Sequence, residues 1–139
     1  MFVDLDKFKP VNDTYGHAAG DFMLQTVAKR LSGCLLASDT AARVGGDEFL
    51  VLLPDIPSGA DALAVAEKIR SALAEPCISP DGIELCISAS IGIAIYPEHA
   101  GSEHELLRLG DRAMYEAKSA GGNRVKLFSP EDGSGHSAA

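Results

Sequence analysis

Arg43-Val44-Gly45-Gly46-Asp47-Glu48-Phe49 lies between an apolar approach, Thr40-Ala41-Ala42, and a continuous apolar run, Phe49-Leu50-Val51-Leu52-Leu53. This pattern predicts a β-hairpin whose turn holds two glycines and two carboxylates. Glycines at 45 and 46 permit positive φ and let backbone approach a bulky ligand closely. Asp47 and Glu48 place two hard oxygen donors at the same tip. Alone, a Gly-Gly-Asp turn is ordinary loop chemistry. A second acidic segment makes it more.

That segment runs from Met1 to His17. Its first residues read as the end of a buried strand, with Asp4 and Asp6 where the chain leaves the sheet, the usual place for ligands in open α/β sheets. Two acidic turns can share a metal. With so few residues before Asp4, its anchor is expected to be a strand stub of two or three residues.

Phe2-Val3-Asp4-Leu5-Asp6-Lys7-Phe8-Lys9, then Asn12-Asp13, Gly16-His17, Gly20-Asp21 and the hairpin Arg43 to Phe49 together resemble a GGDEF domain, the diguanylate cyclase family. Further matches are Ser90-Ile91-Gly92-Ile93 and the stretch from Ala113 to Val125. The resemblance covers residues 1 to about 128. It implies an α/β (α+β) fold with a central mixed, mainly antiparallel five-stranded sheet flanked by helices, similar to the nucleotidyl cyclase and polymerase palm core. It also implies a start that this chain lacks: an initial helix, an Asp/Leu/Thr/Gly-rich turn and further strand residues before Phe2.

The implied reaction joins two GTP molecules into cyclic di-GMP with release of two pyrophosphates, at a homodimer interface. By resemblance, Asp4 and Asp47, aided by the Leu5 carbonyl, hold Mg²⁺ or Mn²⁺, two ions per GTP. Glu48 is either a further metal ligand or the proton acceptor, and Asp6 turns inward to support the turn. Asn12 and Asp21 read guanine; a carboxylate accepts from its N1–H and amine, and an amide both donates and accepts. Leu24 lies against the base. Gly45 and Gly46 adjoin the substrate, Lys9 and the backbone near Phe8 contact phosphate, and Lys118 reaches the terminal phosphates. Gly122 stands where the family often has arginine or lysine, so one phosphate contact is either missing or supplied by Arg124. The family's product-inhibition motif, Arg-x-x-Asp, is here Leu36-Ala37-Ser38-Asp39; leucine offers no planar donor fork, so no product inhibition is expected at this site. The alternative function is a catalytically inactive GTP-binding regulatory module.

The remaining pattern supports one domain. At 139 residues and 46% apolar the chain can bury a core, and residues 1–128 read as that domain with residues 129–139 as a flexible, Gly/Ser-rich tail. A formal charge of −8 excludes the basic footprint that nucleic acid or an anionic membrane requires, whereas divalent ions still let an acidic pocket accept a triphosphate. Cys34, Cys77 and Cys86 lack metal-ligand spacing and read as reduced, mostly buried thiols of a cytoplasmic protein. Apolar spacing predicts a helix opened by Gly20-Asp21 and ending near Gly33, another from Asp61 to Ala74 with Leu63, Ala66, Ile69 and Leu73 buried, and a third capped by Ser102 with Glu105 three positions on. Asp81-Gly82 marks a hairpin turn, Leu85 to Tyr96 alternates as a central strand, and Val125 to Phe128 closes as the last strand. An N-terminal sensor or dimerisation domain in a longer parent protein is expected to bring two copies together.

Overall fold

A computed structural model describes residues 1–130; the tail expected over 129–139, with His136, lies outside the described residues from 131 on. The elements in chain order are β1 (Phe2–Asp6), α1 (Phe8–Tyr15), α2 (His17–Gly33), β2 (Thr40–Arg43), β3 (Glu48–Leu52), α3 (Gly59–Ala74), β4 (Cys77–Ile78), β5 (Glu84–Leu85), β6 (Ser88–Ile93), α4 (Glu103–Ser119) and β7 (Arg124–Leu127). Five strands form one sheet in the order β2-β3-β1-β6-β7; β4 and β5 form a separate ribbon. Only β6 and β7 run parallel, so the sheet is mixed and mainly antiparallel, as the resemblance implies.

The expected stub at the start is a five-residue central strand. β1 is hydrogen-bonded on both sides, with Val3 opposite Phe49 and Ile91, and Asp4 opposite Glu48 and Ser90. Two ladders compensate for the short lead-in, because each residue of a central strand is fixed by both neighbours. Asp4 and Asp6 therefore lie within the strand and not beyond its end.

Alternation then sorts the side chains. Val3, Leu5, Phe49, Val51, Ala89, Ile91 and Ile93 face one side and pack into a single core with Met23, Val27 and Leu31 of α2 and Ala62, Ala66, Ile69 and Leu73 of α3. Directly opposed residues share a face, so Asp4, Asp6, Glu48, Ser88 and Ser90 all project to the other side. There α4 crosses β6. Its approach is very close: a Cβ on Gly92 would overlap the Met114 amide and the Gly110 carbonyl, and one on Gly110 would come 3.2 Å from the Phe2 ring. The small residues alternating along the central strand make this contact possible.

Several boundaries differ from expectation for local reasons. Lys7, with φ 65° and ψ 20°, turns the chain directly from β1 into α1, so the expected acidic turn is a helix and Asn12 is helical. Gly16, at φ 92°, separates α1 from α2, which consequently begins at His17 and places Gly20 inside the helix. In α3 the buried position is Ala62 rather than Leu63, and the start moves to Gly59 because the Ser58 hydroxyl caps the Asp61 N–H. The long strand expected from Leu85 splits into β5 and β6, and the last strand begins at Arg124. Ser102 caps α4 through the Glu105 N–H at 3.2 Å, and Gly82 supplies φ 81° to the β4–β5 turn, both as expected. The thiols are free, yet not mostly buried as expected: Cys86 is exposed, and Cys34 and Cys77 are half-buried against the edge of the core. Among the described residues no helix is long and apolar enough to cross a membrane.

Candidate functional site

Strand pairing places Glu48 directly across from Asp4, so the hairpin and the first strand meet at one edge of the polar sheet face. The Leu5 N–H donates to the Asp47 carbonyl at 3.0 Å and fixes this junction. α4 delivers a cation to it from the opposite end of the chain. The Lys118 ammonium lies 2.7 Å from Asp4 Oδ1, 3.4 Å from the Leu5 carbonyl oxygen and 3.8 Å from Asp6 Oδ1. Three oxygens from two side chains and one main chain thus converge on a single cation position.

Burial pushes the Asp4 carboxyl above its ordinary range, and the neighbouring Asp47 and Asp6 add to the rise against the opposing pull of Lys118. Glu48 is also raised, first by burial and then by the negative fields of Asp111, Asp4 and Asp47. Asp111 was not singled out in the sequence. Its signal is spacing: it precedes Lys118 by seven residues, two helical turns, and so lies on the same face of α4.

Asp6 has a different environment. It is 8% exposed and accepts from the Ser88 hydroxyl at 2.7 Å, the Ser90 hydroxyl at 2.8 Å and the Asn123 N–H at 2.8 Å. The inward orientation expected of it is present, and the serines and Asn123 are partners that sequence reading missed. They tie β1, β6 and the α4–β7 turn together. In that turn Gly122 has φ 74°, and a Cβ there would stand 3.0 Å from the Asp6 carboxylate. The Arg124 guanidinium folds back, its Nε donating to the Gly122 carbonyl at 3.2 Å.

The hairpin tip is held by an unexpected device. Neither Gly45 nor Gly46 is among the positive-φ residues, contrary to the turn chemistry expected of them. Arg43 instead braces the loop, its Nε donating to the Gly45 and Gly46 carbonyls at 3.0 and 3.1 Å and its Nη2 to Gly46 at 2.8 Å. A Cβ on Gly46 would meet nothing within 4 Å. The fold leaves room there for a side chain.

Asn12 and Asp21 are on successive helices that pack together. A Cβ on Gly20 would overlap the Asn12 side-chain carbonyl, so glycine at 20 is what seats the Asn12 amide beside the start of the Asp21 turn. Leu24 lines a cleft of about 310 Å³ with Ala28, Ala41, Arg43 and Phe49, between α2 and the hairpin. Asn12 and Asp21 lie outside its walls. Phe8 is a core side chain at the start of α1, and Lys9 is exposed on the first turn. Leu36 is 75% exposed, and its N–H donates to Asp39 Oδ2 at 2.8 Å, so that carboxylate closes a local turn.

The oxygens around Lys118 suit a hard divalent ion. Among the described residues no three Asp, Glu, His or Cys side chains enclose a metal. Asp4, Glu48 and the Leu5 carbonyl instead form an open acidic edge, the arrangement Mg²⁺ uses when phosphate oxygens complete its shell.

Comparison with known proteins gives a consistent result. The family model described as "Diguanylate cyclase, GGDEF domain" matches residues 1–124. Diguanylate cyclase TpbB of Pseudomonas aeruginosa (strain UCBPP-PA14) is 50% identical over 118 residues, covering 85% of this chain and 27% of that protein. Diguanylate cyclase A of Treponema denticola is 45% identical over 127 residues, covering 91% of this chain and 34% of that protein. The crystal structure of the TpbB GGDEF domain superposes with a TM-score of 0.89 at 47% identity, covering 92% of this chain and 80% of that one. The chain thus spans about a third or less of these curated relatives.

Proposed function

Because this chain belongs to the GGDEF domain family of diguanylate cyclases, we propose that it condenses two GTP molecules into cyclic di-GMP and two pyrophosphates, with two copies facing each other. The observation that carries this reading is the direct opposition of Asp4 and Glu48 on neighbouring strands, with the Lys118 ammonium already seated on Asp4 and Leu5. Such an edge suits phosphoryl transfer, where positioning and charge neutralisation supply most of the catalysis.

Asp4, Asp47, Glu48 and the Leu5 carbonyl are the groups that would hold Mg²⁺ or Mn²⁺, two per GTP, which when bound neutralise phosphate charge and acidify the attacking ribose hydroxyl. Asn12 and Asp21 read the guanine edge, and Leu24 supports the base from its cleft. Lys9, the backbone at Phe8, Lys118 and Arg124 take the phosphates. Gly45 and Gly46 serve the substrate rather than the fold, since the fold leaves space for a side chain at 46. Glu48 is either a further ligand of the ions or the acceptor of the ribose 3′-hydroxyl proton, and the burial that raises its affinity for a proton supports the second role. The 3′-oxygen of each GTP then bonds to the α-phosphorus of the other as pyrophosphate leaves, closing the ring after two such events.

Each copy carries one guanine-reading pair, so turnover requires a homodimer. A larger parent protein, of which this chain spans the catalytic portion, would supply the sensor or dimerisation domain; the 27% coverage of TpbB supports that arrangement. Leu36 in place of arginine supports turnover without product inhibition at Asp39. One observation favours a second reading, a GTP-binding regulator: Gly122 replaces a phosphate-binding basic residue usual in the family.

Incubation with GTP and Mg²⁺, followed by chromatography, tests the choice. Cyclic di-GMP that rises faster than linearly with protein concentration is the expected result. GTP-dependent thermal stabilisation without product at any protein concentration would favour the regulator.

A further inference from the structure

Lys118 is in contact with the same oxygens that the proposed metal requires. Its ammonium is 2.7 Å from Asp4 Oδ1 and 3.4 Å from the Leu5 carbonyl. Mg²⁺ takes such oxygens at about 2.0–2.1 Å, so an ion held by Asp4 Oδ1 and the Leu5 carbonyl would occupy the position the ammonium now fills. The lysine and the metal are therefore competitors for Asp4. We propose that Lys118 is an exchangeable counter-cation, which neutralises Asp4 until metal and nucleotide arrive together and then passes to the nucleotide phosphates, coupling the two binding events.

This inference rests on the cyclase reading, and three features of the chain support it. Lys118 sits in the last turn of α4 with its side chain 40% exposed, so the ammonium can swing without disturbing the core. Asp6, the other carboxylate nearby, already receives two hydroxyls and an amide, so its acceptor sites are filled without the lysine. Among the described residues Asp4 has no comparable set of donors: its side-chain hydrogen bond comes from Lys118. Removing the ammonium thus leaves Asp6 anchored and Asp4 open. Coupling of this kind is reciprocal, so nucleotide must raise metal affinity by the same factor as metal raises nucleotide affinity.

The test measures Mn²⁺ binding by the paramagnetic signal of the free ion, for the unaltered protein and for Lys118→Met and Lys118→Gln, with and without guanosine 5′-[α,β-methylene]triphosphate. Both variants are expected to bind Mn²⁺ alone about fivefold more tightly than the unaltered protein, the scale of a partly exposed ion pair. They are also expected to gain less from the nucleotide analogue. The tightening must disappear when Asp4→Asn is combined with Lys118→Met; its persistence would place the ion elsewhere and overturn the proposal. Equal affinity for Mn²⁺ alone in all three proteins, with the unaltered protein still binding Mn²⁺ beside the analogue, overturns the exchange while leaving the cyclase reading intact. Absence of Mn²⁺ binding in every protein with the analogue present overturns both.

Discussion

Asp4 and Asp6 are two residues apart on one strand and point to the same face, yet their surroundings are opposite. Asp6 is a floor: buried, with two serine hydroxyls and the Asn123 amide supplying its hydrogen bonds. Asp4 is a rim: half-buried, opposed by Glu48 and gripped by a single exposed lysine. The difference teaches how to separate structural from functional acids. A carboxylate with its acceptor sites filled by fixed donors holds the fold; one whose proton affinity is raised by burial and whose partner can leave is free to exchange ligands.

The largest expected effect breaks the rim. Asp4→Asn should lower cyclic di-GMP formation by about 10²–10³-fold, the range seen when a preorganised electrostatic group is lost, while the protein stays folded. The floor should behave in reverse. Asp6→Ala strands two hydroxyls and an amide, and chemical denaturation should show a loss of about 2–4 kcal/mol, with activity falling because α4 and Lys118 lose their anchor. Gly20→Ala sharpens the comparison at a distance. By displacing the Asn12 amide it should raise the KM for GTP about tenfold, the scale of one or two hydrogen bonds, with kcat less affected.

The smallest effect concerns proton linkage at the rim. Glu48 has a folded-state pKa above its unfolded value, so its charged form opposes folding. That cost is absent below the ordinary glutamate range, grows as pH rises through the interval up to the raised value, and persists at neutral pH. Glu48→Gln, scanned in a chelator at neutral pH, should therefore raise Tm by about 1–3 °C while abolishing turnover. At pH 4 the difference in Tm should shrink toward zero. A Glu48→Gln protein that is less stable at neutral pH would show that the rim carboxylate supports the fold.

Much of the fold was legible because periodicity and turn residues report on local burial. The apolar run after Glu48, the Ser102 cap and the Asp81-Gly82 turn each correspond to an observed element. What escaped notice depended on partners distant in sequence. Nothing near Asp4 reveals that its short strand is bonded on both sides, since the ladders come from Glu48 and Ser90. The helical conformation of Asn12 follows from Lys7 adopting positive φ, which a lysine does not announce. For the site, the acidic and glycine motifs pointed to Asp4, Asp47 and Glu48, and the stretch from Ala113 to Val125 to Lys118, whereas the bracing role of Arg43 and the serine floor under Asp6 appear only when strands are paired.

The most direct test compares cyclic di-GMP formation from GTP by the unaltered chain and by Asp4→Asn, each at several protein concentrations and each with its Tm recorded. The rim-and-floor account predicts product from the unaltered chain that rises faster than linearly with concentration, and little or none from an Asp4→Asn protein of unchanged or higher Tm. Equal product from the two proteins, or loss of product only alongside loss of folding, would contradict it.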